Sequence, residues 1–156
     1  MKKKVLLFLL AFIMMFYSFS GTSQEVLAED GIEMQDIDYV YLNHEDALVG
    51  CLQSQTRGVY LITGTSVIRK YSSTQIAAGG TTEAALTCKV SITVIVEKYT
   101  SGGWARVTSW AVTKASGTNV IASKVLTVAT GNKYRVRSYH YAGTDSGSSS
   151  TNALQM

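Results

Sequence analysis

Residues 130–143, TGNKYRVRSYHYAG, hold two arginines, one histidine and three tyrosines in fourteen positions. Such a set can serve several ends. Guanidinium groups interleaved with phenol rings suit contact with an anionic polymer, a glycan or a protein. An imidazole suits base catalysis when a nucleophile and an orienting carboxylate reach it from other elements. A tyrosine at the head of a strand can instead belong wholly to the fold.

The catalytic option lacks its parts. His44 and His140 are the two imidazoles. Residues 143–150, GTDSGSSS, loosely resemble a serine-nucleophile loop, but His140 precedes them on the same segment and the serine run reads as a turn. Asn43-His44-Glu45-Asp46 reads as a solvated polar stretch. In the basic part of the chain, the acids Glu83, Glu97 and Asp145 are scattered and offer no carboxylate pair for glycoside cleavage. Two cysteines and two histidines at these spacings do not make a zinc site. The expectation is a protein that is not an enzyme, with no catalytic residue, no metal and no cofactor.

The elements that would position the remaining candidates follow from patterning. The chain opens with Lys2, Lys3 and Lys4, then an apolar run over residues 5–17, then small and polar residues. That is the layout of a secretory signal peptide, and the run is shorter than the ~20 residues a membrane helix needs. Val26-Leu27-Ala28 favours cleavage after Ala28 over cleavage near Ser20, so residues 1–28 are assigned to the signal peptide. No second apolar segment follows, and the expected location is extracellular. Leu48-Val49-Gly50-Cys51 looks like a lipidation box but stands about thirty residues too far from the apolar run.

Charge divides what remains. Residues 29–56 carry seven acids and no Lys or Arg, an acidic leader. Residues 57–156 carry eleven Lys and Arg against three acids. Such opposite charge favours folding the leader back, with Tyr39, Tyr41 and Leu42 to dock, or meeting an anionic surface. Nucleic acid is not the expected partner, since no recognition motif accompanies the charge.

From residue 57 the hydropathy alternates with period two. Segments 59–62, 66–70, 75–79, 87–99, 104–112, 120–128, 133–142 and 152–156 read as strands, separated by turns such as Thr100-Ser101-Gly102-Gly103 and Ser116-Gly117-Thr118-Asn119. In 87–99, Cys88, Val90, Ile92, Val94 and Val96 share one face, and the other is polar except for Ile95, as expected of an antiparallel sheet with one wet side. Cys88 therefore reads as a small core residue, and pairing with Cys51 stays open. The predicted fold is all-β: an antiparallel immunoglobulin- or fibronectin-like β-sandwich of about seven strands. Proline is absent, against about 5% in average sequences.

Leu126, Val128, Gly131, Tyr134 and Val136 form L-x-V-x-x-G-x-x-Y-x-V, the spacing of a corner tyrosine whose ring enters the core and whose hydroxyl bonds backbone upstream. Tyr134 and Gly131 are thus assigned to the fold, as is Trp104 at the head of its strand. Alternation puts Arg135, Arg137, Tyr139 and Tyr141 on the opposite face, either an ordinary solvated surface or a binding stripe for an anionic cell-wall polymer, a glycan or a protein.

Taken in order, Tyr41-Leu42 followed by acids, Thr56-Arg57-Gly58, Gly64 followed by Val67-Ile68, Val96-Glu97-Lys98-Tyr99, Trp104, residues 124–128, and Tyr134-Arg135-Val136-Arg137 with His140 and Ala142-Gly143 resemble a family of small secreted proteins of unknown function from Gram-positive anaerobes (Firmicutes). Members of that family carry a longer, more acidic loop where this chain has Thr100-Ser101-Gly102-Gly103. The resemblance implies secretion, a compact domain and a leader that belongs to it; it supplies no catalytic or ligand residues. The function that fits all of this is a secreted, non-enzymatic module that binds at the cell envelope or to an extracellular polymer. The alternative is a small secreted toxin or bacteriocin-like effector. Ligand and oligomeric state are not written in the sequence.

Overall fold

The computed structural model describes residues 32–55 and 58–156. The predicted signal peptide, its cleavage site after Ala28, and Thr56-Arg57 lie outside the described residues. Eight strands follow in order: β1 (Met34–Asp36), β2 (Leu48–Gln55), β3 (Leu61–Lys70), β4 (Gln75–Thr100), β5 (Gly103–Thr127), β6 (Lys133–Ala142), β7 (Asp145–Ser150) and β8 (Leu154–Gln155), with one 3-10 turn at Tyr39–Tyr41. The fold is all-β and antiparallel, as the alternation predicts. Among the described residues no helix is long and apolar enough to cross a membrane.

The strand order is β1-β5-β4-β3-β2-β7-β6-β8, with a further pairing of β4 to β6. That pairing closes the sheet on itself. The first half of β4 pairs with β3, from Lys70↔Ile76 to Leu61↔Ala84. Its second half pairs with β6, from Val90↔Ala142 to Lys98↔Tyr134. β4 thus belongs to both layers, and β5 accompanies it throughout, from Gln75↔Thr127 to Thr100↔Gly103.

The crossing point is a register break: Glu83 pairs with Asn119 and Cys88 with Gly117, so residues 84–87 stand against Thr118 alone. Extra residues on one strand bend the pair and raise its twist, which is how a strand passes from one packed sheet to the other. Segments 75–79 and 87–99, expected as two strands, are therefore one, as are 104–112 and 120–128. Ser116-Gly117-Thr118-Asn119 bends β5 instead of reversing the chain. Gly and small polar residues signal a break in extension, and a bulge uses the same residues as a turn.

The core lies between the layers and is built from the inward set: Ile68, Ile76, Val90, Ile92, Val94, Val96, Val120, Leu126, Tyr134 and Val136 are all buried. Cys88 is half-buried beside this core, Cys51 is exposed, and both thiols are free.

The acidic leader is part of this architecture. The boundary expected at residue 56 falls between β2 and β3, which pair with each other. Leu42 is 1% exposed and packs with Val67, Ala77 and Val125 on the outer side of the first layer, with Ile37, Tyr39 and Ala47 around it. Charge supports the docking: Lys124 meets Asp36 at 2.6 Å, and Arg69 meets Asp46 at 3.2 Å while donating to the Tyr41 carbonyl at 2.8 Å.

At the corner before β6, Tyr134 is 2% exposed and its hydroxyl donates to the Ala129 carbonyl at 2.9 Å. Gly131 sits at φ +77° and its N–H donates to the Met156 carbonyl at 2.7 Å, so the chain end is tied to the same turn. A positive φ is open to glycine at no steric cost. Replacing Tyr134 by Phe removes this one bond from a packed ring and is expected to cost about 1 kcal/mol in denaturant unfolding, whereas Tyr139→Phe, at a half-exposed site, should cost clearly less. Equal losses would mean the corner bond contributes nothing special.

Candidate functional site

β6 alternates strictly: Tyr134, Val136, Ser138, His140 and Ala142 are buried, and Arg135, Arg137, Tyr139 and Tyr141 point outward, with Tyr141 the most exposed. The outward four do not stand free. Glu97 on β4 lies opposite Arg135 in register and is only 4% exposed. Its Oε2 accepts from Arg135 Nε at 2.6 Å and its Oε1 from Arg137 Nη2 at 2.8 Å. Two charge-assisted bonds satisfy a carboxylate that would otherwise be costly to bury.

The same guanidiniums order the rings. Arg135 stands 4.4 Å from the centroid of the Trp104 ring, and Tyr99 meets Trp104 edge-on at 5.3 Å. Arg137 lies 5.4 Å from the Tyr139 ring and donates from Nη1 to its hydroxyl at 3.0 Å. Trp104, assigned from sequence to the fold, thus stands with Arg135 on the outer face. Glu97 is the residue that sequence reasoning passed over, as a scattered acid. Its role depends on β4 pairing with β6, which a period-two pattern does not encode.

Beyond the clamp the face is rich in hydroxyls. Register aligns Ser150, Arg137, Ile95 and Ser109 in one row, Ser148, Tyr139, Thr93 and Ala111 in the next, and Ser146, Tyr141, Ser91 and Thr113 in a third. Ile95, the apolar exception on this face, is 9% exposed in the same row as Arg137.

Behind this face lies a buried polar chain. His140 is fully buried; its Nδ1 meets Thr82 Oγ1 at 2.8 Å and its Nε2 meets Ser149 Oγ at 2.7 Å. Ser66 Oγ lies 2.7 Å from Ser149 Oγ and donates to Ser138 Oγ at 2.8 Å. With Nε2 protonated, Thr82 donates to Nδ1, Nε2–H to Ser149, Ser149 to Ser66, and Ser66 to Ser138; with Nδ1 protonated, Thr82 Oγ1 is free to donate to the Ser91 carbonyl at 3.3 Å. Burial pushes the imidazole down to about 4.

A serine at hydrogen-bond distance from a histidine has the form of a catalytic pair. Here Ser149 is 2% exposed, and a threonine rather than a carboxylate holds the far nitrogen, so the pair presents no nucleophile to a substrate. Asp145 is likewise structural: its carboxylate accepts from the N–H groups of Leu61 at 3.0 Å and Tyr60 at 2.7 Å, which hold it below the usual carboxylate range. His44 bonds Asp46 at 2.7 Å on the surface. Among the described residues no three His, Cys, Asp or Glu side chains gather as metal ligands.

The chain belongs to a family of unknown function, DUF6147, matched over residues 26–155. No curated protein matches it. The solution structure of R. palustris CsgH is similar with a TM-score of 0.36 and 18% identity, over 67% of this chain and 92% of that one. A likeness of that degree carries neither topology nor function across.

Two outcomes follow from the clamp and the chain behind it. Glu97→Gln keeps the shape but loses the charge that two guanidiniums share; it should destabilise the protein by roughly 2 kcal/mol and weaken the near-ultraviolet circular dichroism of the ordered rings. An unchanged aromatic spectrum would mean the rings are held without the clamp. For His140, the folded pKa of about 4 lies below the ordinary 6.5, so between these values the unfolded chain binds the extra proton. Stability is then complete above pH 6.5 and falls as pH drops toward 4, by on the order of 3 kcal/mol. Carbon-detected titration of His140 checks this directly: a midpoint near 6.5 would contradict a buried, neutral imidazole.

Proposed function

We propose that this chain is a secreted, non-enzymatic β-sandwich module that binds an extracellular polymer at the cell envelope through the outer face of β6. The observation that carries the reading is the Glu97 clamp. It spends buried ion pairs to hold Arg135, Arg137, Trp104 and Tyr139 in one arrangement at the surface. Rings fixed in advance lose little freedom on binding, so more of the contact energy becomes affinity. Exposed Tyr141 and Tyr99 extend the surface on either side.

Secretion rests on the lysine-led apolar segment at the start of the chain. Absence of catalysis rests on the burial of the one serine–histidine pair and on the scattered carboxylates. The clamp also changes how the stripe must be tested. Reversing charge at Arg135 and Arg137 would gather three carboxylates and unfold the region, so the arginines are poor probes of binding. Tyr139→Ala with Tyr141→Ala removes contact surface and leaves Glu97 paired with both arginines. Parent protein should be retained on purified Gram-positive cell walls in a sedimentation assay, and the double tyrosine variant should lose about tenfold or more in affinity while melting near the parent temperature. Equal retention of the two would rule out this face as the binding surface. Lysis or leakage of target cells by the parent would favour an effector instead.

A further inference from the structure

The outer edge of β5 carries a second feature. β1 pairs with this edge at residues 124–126; backbone bonds from Thr127 to Glu33 at 3.2 Å and from Ile37 to Ser123 at 3.4 Å flank it, and Met34 Sδ accepts from Thr108 Oγ1 at 3.5 Å across the bend. From residue 122 back to Gly103, β5 pairs with β4 on one side and with no described strand on the other. An open edge presents a row of backbone donors and acceptors that template another strand.

In the crook of the β5 bend, where β1 ends, lies a cleft of about 480 Å³ bordered by Ile37, Trp110, Val112, Ile121 and Ala122. Trp110 Nε1 is buried there with no hydrogen-bond partner among the described residues. An indole N–H is a donor only, and leaving it unmatched is costly, so a shift of the Trp110 ring that brings Nε1 to an acceptor in the cleft would be stabilising.

The chemistry of the missing strand can be read from β5 and from β1. β5 carries Arg106, Lys114 and Lys124 and no acid. Lys114 Nζ reaches across the bend to Asn119 Oδ1 at 3.2 Å, a neutral partner. β1 is the precedent for what this edge accepts. It comes from the acidic leader, packs the partly buried Met34 beside the core, with Ile32 just before it, and sets Asp36 on Lys124 at 2.6 Å. A second β5 edge would bring cations against cations, which disfavours a second copy as the occupant.

We propose that the open half of β5 binds an extended peptide of interspersed apolar and acidic residues, added as a strand in continuation of β1, with a carboxylate for Lys114 and an apolar side chain against Trp110. This site is separate from the β6 face and does not depend on the polymer-binding reading.

The test uses the protein with a synthetic peptide of residues 32–38, IEMQDID, which has this chemistry and whose own copy is already seated at 124–126. Amide resonances around the cleft, at residues 110–114 and 120–122, should shift on titration, together with the indole N–H of Trp110 but not that of Trp104. Lys114→Glu should weaken binding by about tenfold, and a peptide with lysines in place of its acids should not bind. No shift at these residues up to millimolar peptide, equal binding of the basic peptide, or displacement of the native β1 at 124–126 would each overturn the proposal. Shifts confined to Tyr139, Tyr141 and Trp104 would place the peptide on the β6 face instead and would overturn it equally.

Discussion

A neutral imidazole in a buried interior constrains everything around it. His140 must be bonded at both nitrogens, and its partners come from different strands: Thr82 from β4 on one side, Ser149 from β7 on the other, with Ser66 of β3 and Ser138 of β6 completing the chain. Each of these hydroxyls is itself buried and needs its neighbours as much as His140 does. Four strands of the closed ring are therefore fixed in relative register by one set of polar bonds. Apolar packing alone is less particular about register. The same requirement limits side-chain size nearby: a Cβ at Gly64 would stand 2.5 Å from the His140 ring. It also explains why β7, built of serine and glycine, is a strand at all. Its small inward residues fit a space already filled by the imidazole and by β2, where a Cβ on Gly50 would meet the Ser150 carbonyl oxygen.

β6 separates two tasks by alternation. Its inward residues complete the core and the polar chain, and its outward residues meet Glu97 and the rings. β4 does the same beside it, with Val96 in the core and Glu97 under the arginines. The candidate surface is thus built on the two central strands of a layer rather than on loops. That placement favours a rigid, preformed platform over an adaptable one. It also means the ordering of the rings and the stability of the layer share one carboxylate.

Local features were the legible ones. Tyr134 and Gly131 declare themselves because the corner needs only a turn and the strands on either side of it, all within eleven residues. The facing of 87–99 and 133–142 is legible because side chains alternate along a strand whatever its partner. Leu42 is legible as a docking residue because it is an apolar group within an acidic stretch beside a basic domain. What escaped depends on pairings between distant strands. Glu97 has meaning only once β4 and β6 are neighbours. The bend at residues 116–119 is indistinguishable in composition from a hairpin turn until β4 is known to run unbroken alongside. β7 carries turn-forming residues yet is paired on both sides, by β2 and by β6, a tertiary context that overrides local propensity.

The passage of β4 and β5 through both layers bears on how the molecule comes apart. In a sandwich whose strands each belong to one sheet, a layer can loosen while the other persists. Here the longest ladder, from Gln75↔Thr127 to Thr100↔Gly103, runs through both layers and is interrupted only at bulges. Peeling β3 from one half or β6 from the other strains the same pair of strands at the bend. The slowest-exchanging backbone amides of the two layers therefore belong to a single cooperative unit and exchange through global opening, whereas β1 and β8, each held by two or three residue pairs at the sheet margins, open on their own.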